Sequence, residues 1–126
     1  MTSASEKWMN RAEYDLETAQ AMFDSGRYLY VLFCCQQAVE KALKSVISRR
    51  MSELPPRIHQ LKRLSEIAGL NMDESKIEFM RELSSYYIQS RYPEEITDPS
   101  LQISRKETQH VLEQTKEIVR WISSMK

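Results

Sequence analysis

Apolar residues return every three or four positions through nearly the whole chain, in stretches too long to be strands. Trp8, Ala12, Leu16, Ala19 and Phe23 lie one helical turn apart, and so do Leu32, Cys35, Val39, Ala42 and Val46. The first run predicts a helix from about Ser5 to Ser25, capped by Ser3 or Ser5 and stopped by Gly26. The second predicts a helix from Tyr28 to Met51. Its opening, YLYVLFCC, is apolar on more than one side, which fits a central helix with neighbours on two flanks, one of them a partner chain.

Pro55-Pro56 interrupts the pattern. A shorter helix follows from about His59 to Ala68, with Leu61, Leu64, Ile67 and Ala68 inward and Gly69 at its end. Asp73 caps a fourth helix carrying Ile77, Met80, Leu83 and Tyr87. This helix is expected to end before Arg91, because Pro93 restricts the residue ahead of it. Residues 91–103 read as a loop. Ser104 and Glu107 form a capping box for a last helix with Val111, Leu112, Thr115, Ile118, Val119 and Ile122 on its inner face. The fold class that follows is all-α: an antiparallel up-and-down bundle of four main helices plus a short fifth helix.

Two Gly and four Pro in 126 residues suit such a bundle, and the length suits a single domain over residues 1–126. Lysine and arginine balance aspartate and glutamate at 18 each. That balance disfavours a globally basic nucleic-acid binder and makes self-association plausible. The N-terminal MTSASEKWMNRAEYD holds no apolar stretch of the signal-peptide kind. No apolar run approaches the roughly 18 residues of a membrane span. A cytoplasmic location, with Cys34 and Cys35 reduced, is therefore expected. No Cys–His set has zinc spacing, and no Gly-rich phosphate loop is present, so no metal or cofactor is expected.

The charges are segregated. From Lys41 to Arg63, seven cations (Lys41, Lys44, Arg49, Arg50, Arg57, Lys62, Arg63) stand against Glu53 alone. From Glu66 to Asp98, eight acids stand against three cations. The plain account is solvated helix faces and cations at a helix C-terminus. The functional account is a patch that attracts phosphates.

Several local patterns coincide along the chain. They are Trp8, Ala12, Asp15-Leu16 and Ala19; Gly26-Arg27-Tyr28; FCCQQAVEKALK from Phe33 to Lys44; His59-Gln60-Leu61 with Leu64; and Arg91-Tyr92-Pro93. In this order and spacing they resemble the HEPN domain family over nearly the whole length. The resemblance implies a helical bundle that dimerises, often encoded beside a minimal nucleotidyltransferase. Many members act in toxin–antitoxin or defence systems. Some are metal-independent ribonucleases in which an Arg is followed a few residues later by a His; others bind nucleotides or partner proteins without catalysis.

Arg91 stands where the family's Arg would be, but Ile96, Thr97 and Asp98 occupy the places expected for the His. A non-catalytic or weakly active nucleotide- or RNA-binding module is therefore expected, homodimeric and paired with a nucleotidyltransferase. The ligand-binding residues implied are Lys41, Lys44, His59, Arg91 and Tyr92. Arg91 has the planar fork that suits phosphate oxygens, and Tyr92 could stack on a base. The alternative is a ribonuclease in which Arg91 works with His59 or Asp98 as proton acceptor. A third reading is a structural adaptor without a ligand. Glu40 and Lys44 read, more plainly, as an ordinary i,i+4 pair contributing about 0.3–0.5 kcal/mol.

Overall fold

A computed structural model describes residues 3–51, 54–91 and 103–125, with backbone alone for 87–91. Its helices are α1 (Ala4–Asp24), α2 (Tyr28–Met51), α3 (Leu61–Ala68), α4 (Glu74–Arg91) and α5 (Arg105–Ser123). The chain forms the expected all-α bundle, with α1, α2, α4 and α5 as the long members and α3 as the short one.

Local chemistry explains where these helices begin. Ser3 caps α1 by accepting from the Glu6 backbone N–H, and Ser104 caps α5 by accepting from the Glu107 N–H, both at 3.1 Å. In both boxes the serine hydroxyl also donates to the glutamate carboxylate. The Asp73 carboxylate accepts from the Lys76 N–H at 2.9 Å. Ser5, the other capping candidate for α1, instead exchanges hydrogen bonds with Ser45 on α2.

Where α1 and α3 stop, Gly26 and Gly69 sit at φ +76° and +73°. The Gly26 and Arg27 N–H groups return to the Phe23 and Met22 carbonyls, and Gly69 and Leu70 do the same to Glu66 and Ser65. These paired bonds satisfy carbonyls that the helix end leaves open, and they need a left-handed residue that only glycine supplies cheaply.

Two predicted boundaries shift. The short helix begins at Leu61 rather than His59, because His59 commits its carbonyl to Gln36 and its ring to Glu40, both on α2. Gln60 stays extended at φ −76°, ψ 113°. At the far end of the bundle, α4 includes Arg91. The proline constraint acts on Tyr92, the residue directly before Pro93, and leaves Arg91 free to take helical angles.

α2 is the axis of the molecule. It packs against α1, α3, α4 and α5. From Ala38 to Ile47 every side chain of this helix except Lys41 is buried, so its middle has no solvent face. Around it lie Ala12, Ala19 and Phe23 from α1, Leu61 and Leu64 from α3, Met80 and Leu83 from α4, and all six expected residues of α5. Trp8, Leu16 and Ile77, also expected inward, are half-buried at its margin. α1 runs antiparallel to α2, as Ser5 meets Ser45 and Phe23 meets Tyr28. α5 runs alongside α2, with Arg49 near the end of one donating to the Met125 carbonyl beyond the end of the other. No helix among the described residues is long and apolar enough to cross a membrane.

Candidate functional site

One line of α2 is polar where the helix is most deeply enclosed. Gln36, Glu40 and Lys44 follow at four-residue steps, so their side chains stack on one stripe. They are 0%, 4% and 6% exposed. Removing an ion pair from water costs several kcal/mol per charge, and the attraction offsets this only when every remaining lone pair and proton is matched.

Here each of the three side chains has hydrogen-bond partners. Lys44 Nζ donates to Glu40 Oε2 at 3.1 Å. The other carboxylate oxygen, Oε1, accepts from Gln36 Nε2 at 3.1 Å and meets His59 Nδ1 at 3.0 Å. Gln36 Nε2 also donates to the His59 carbonyl at 3.1 Å, and Gln37 Nε2 donates to Gln36 Oε1 at 2.8 Å. The Trp8 ring covers the Lys44 ammonium at 5.5 Å, an attraction between cation and ring face. Among the described residues no buried side-chain nitrogen or oxygen lacks a partner.

The seam leads outward to His59. This residue stands on the extended segment before α3, with its side chain 51% exposed. An ionised carboxylate only accepts hydrogen bonds, so the contact at Glu40 favours a proton on Nδ1. A carboxylate behind an imidazole fixes its tautomer and its rotation, which is what an acid–base or ligand-contacting histidine requires.

The other residues nominated from sequence are distributed as follows. Lys41 pairs with Asp15 of α1 at 2.6 Å, both largely buried, so its charge is matched across the α1–α2 contact. Lys44 belongs to the seam. Arg91 closes α4, and its side chain lies outside the described residues, as do Tyr92 and Asp98. Ser84 of α4 accepts a 3.5 Å hydrogen bond from the Leu61 N–H. α4 therefore passes the start of α3 and runs about two more turns to Arg91.

The cationic stretch also divides by role. Arg49 donates to the Met125 carbonyl, and Arg50 donates to the Ala68 carbonyl at 3.2 Å, placing positive charge at the C-terminal ends of α5 and α3. Arg63 pairs with Glu66 at 3.8 Å in solvent.

Sequence reasoning missed Gln36 as a buried group and Glu40 as the anchor of His59. The available signal was α2 itself: apolar residues on all sides of Gln36–Glu40–Lys44 leave those three no solvent face.

The two thiols are poor nucleophiles. Burial pushes Cys35 up to about 12, with a hydrogen bond to Thr115 opposing. Burial, then the Asp15 carboxylate, raises Cys34, with Lys41 opposing. Among the described residues no group of three or more His, Cys, Asp or Glu side chains could hold a metal ion. A cleft of about 330 Å³ between α4 and α5, floored by Phe79, Ile118 and Trp121, contains none of the nominated residues.

Comparison with known proteins agrees with this architecture. The HEPN domain model matches residues 5–125. The crystal structure of TT1696 from Thermus thermophilus superposes with a TM-score of 0.83 at 26% identity, covering 98% of each chain. ST0689, described as an archaeal HEPN homologue, gives a TM-score of 0.76 at 25% identity, again over 98% of each chain. No curated protein matches the sequence. Since the family match runs through all five helices and through the seam, the chain belongs to the HEPN domain family.

Proposed function

We propose that this chain is a nucleotide- or RNA-binding module with little or no catalysis of its own, working as a homodimer beside a minimal nucleotidyltransferase in a toxin–antitoxin or defence-type system. The observation that carries this reading is the contact between His59 and the buried Glu40 carboxylate. A buried charge pair is seldom worth more to stability than apolar side chains of the same size. One that ends on a half-exposed imidazole has a different use, and an anionic ligand suits an oriented imidazole.

The homodimer rests on surface chemistry. Leu29 and Tyr30 on the first turn of α2 and Tyr14 on α1 are 40%, 54% and 62% exposed. Large apolar side chains on a chain with no net charge favour association.

Titration of a short fluorescein-labelled single-stranded RNA, and of ATP, into the wild type, His59→Ala and Arg91→Ala tests the ligand. Each variant is expected to weaken binding by about tenfold or more, the loss of one charge-assisted hydrogen bond. A wild type that binds neither probe and gains no thermal stability from them favours the adaptor reading instead.

The Nδ1 contact also favours a second reading, metal-independent RNA cleavage with His59 Nε2 as proton acceptor and Arg91 on the phosphate. RNA incubated in EDTA with the same three proteins decides it. Equal cleavage by all three, or none by the wild type, removes the ribonuclease.

A further inference from the structure

We infer that Glu40 and Gln36 are positioning residues for His59, and that the seam inside α2 serves to hold that imidazole in one tautomer and one orientation toward a phosphate-bearing ligand. The ligand part rests on the function proposed above; the positioning part does not.

The hydrogen bonds of the seam converge on His59. Gln37 grips the Gln36 amide oxygen, which turns the Gln36 NH2 toward α3. That NH2 has two hydrogens and two acceptors, the Glu40 carboxylate and the His59 carbonyl. Gln36 thus fixes the backbone of His59 and the carboxylate that fixes its ring. Lys44, beneath Trp8, holds the other carboxylate oxygen and stops the group from rotating. The restraint comes from the most enclosed helix of the bundle and acts on a residue in the extended segment before α3. A site whose supporting groups are themselves locked keeps its geometry to a fraction of an ångström. A seam present for stability alone would not need to reach a half-exposed side chain 19 residues further along the chain.

The test uses long-range 1H–15N NMR of the His59 ring above its titration range, without ligand. The wild type is expected to show the Nδ1–H tautomer. In Glu40→Met/Lys44→Leu, which replaces the whole ion pair and so leaves no buried charge unmatched, the ring is expected to move to the Nε2–H form or to a mixture. The same double variant should bind the labelled RNA as weakly as His59→Ala. Adding His59→Ala to it should cost nothing further, because groups acting through one another are not additive.

An Nε2–H ring in the wild type overturns the assignment, and so does an unchanged tautomer in the double variant. Unchanged RNA affinity in a double variant whose tautomer has switched overturns the link from positioning to ligand. A wild type that binds no RNA yet shows the expected tautomer switch removes the nucleotide reading alone and leaves Glu40 as the group that sets His59.

Discussion

Glu40 joins Gln36, Lys44 and His59, and its removal separates two kinds of stability. Glu40→Ala leaves the Lys44 ammonium enclosed and unmatched, and is expected to lower the unfolding free energy by about 3–5 kcal/mol in urea titrations. His59→Ala removes a half-exposed partner and should cost far less. Thiol chemistry gives a second measurement at this scale. Both cysteines favour the neutral thiol when folded, Cys35 strongly. Iodoacetamide at mildly alkaline pH should label the native protein slowly at both positions and the urea-unfolded protein quickly; fast native labelling would mean that α2 is not enclosed. The same shift has a pH consequence. A thiol raised from 9.0 to about 12 contributes stability in full below pH 9 and loses it as pH climbs toward 12. Tyr86, held up at about 12 by burial and its bond to Glu82, behaves alike from pH 10. Helicity measured by circular dichroism should therefore fall at alkaline pH, and Cys35→Ala should make that fall shallower.

The helices owe their ends to a few residues that the sequence makes visible and their mutual contacts to residues that it does not. The limits of α2, the serine caps of α1 and α5, and the glycine stops follow from local chemistry, so they could be read directly. Gly26 tests this. A Cβ there meets nothing within 4 Å, so Gly26→Ala should lose only the cost of the left-handed backbone, about 1–2 kcal/mol. A much larger loss would place an unseen contact at the α1–α2 turn. The start of α3 was not legible, because a contact with a residue 23 positions earlier overrides the local pattern at His59. Glu40 and Lys44 spell the same i,i+4 pair on a solvated helix as in a core. The apolar residues on all sides of α2 point to the core, but which partners Glu40 meets there follows only from the four helices packed around it.

At the scale of the whole molecule, the charge segregation visible in the sequence resolves into matched pairs and helix-end contacts more than into one basic face. Lys41 and Lys44 meet carboxylates, and Arg49 and Arg50 meet carbonyls. On the proposed reading an anionic ligand is drawn by His59 and Arg91 and not by a broad field, so its binding should depend only shallowly on salt. The exposed apolar residues Leu29 and Tyr30 bear on assembly. Sedimentation should give twice the chain mass for the wild type and the single-chain mass for Leu29→Glu/Tyr30→Glu; a monomeric wild type removes the homodimer. The central claim is that the seam in α2 is kept for what it holds and not for stability. Urea unfolding of Glu40→Met/Lys44→Leu measures that most directly. Stability equal to the wild type, or up to about 4 kcal/mol higher, is the expected result. A loss as large as that of Glu40→Ala would contradict it.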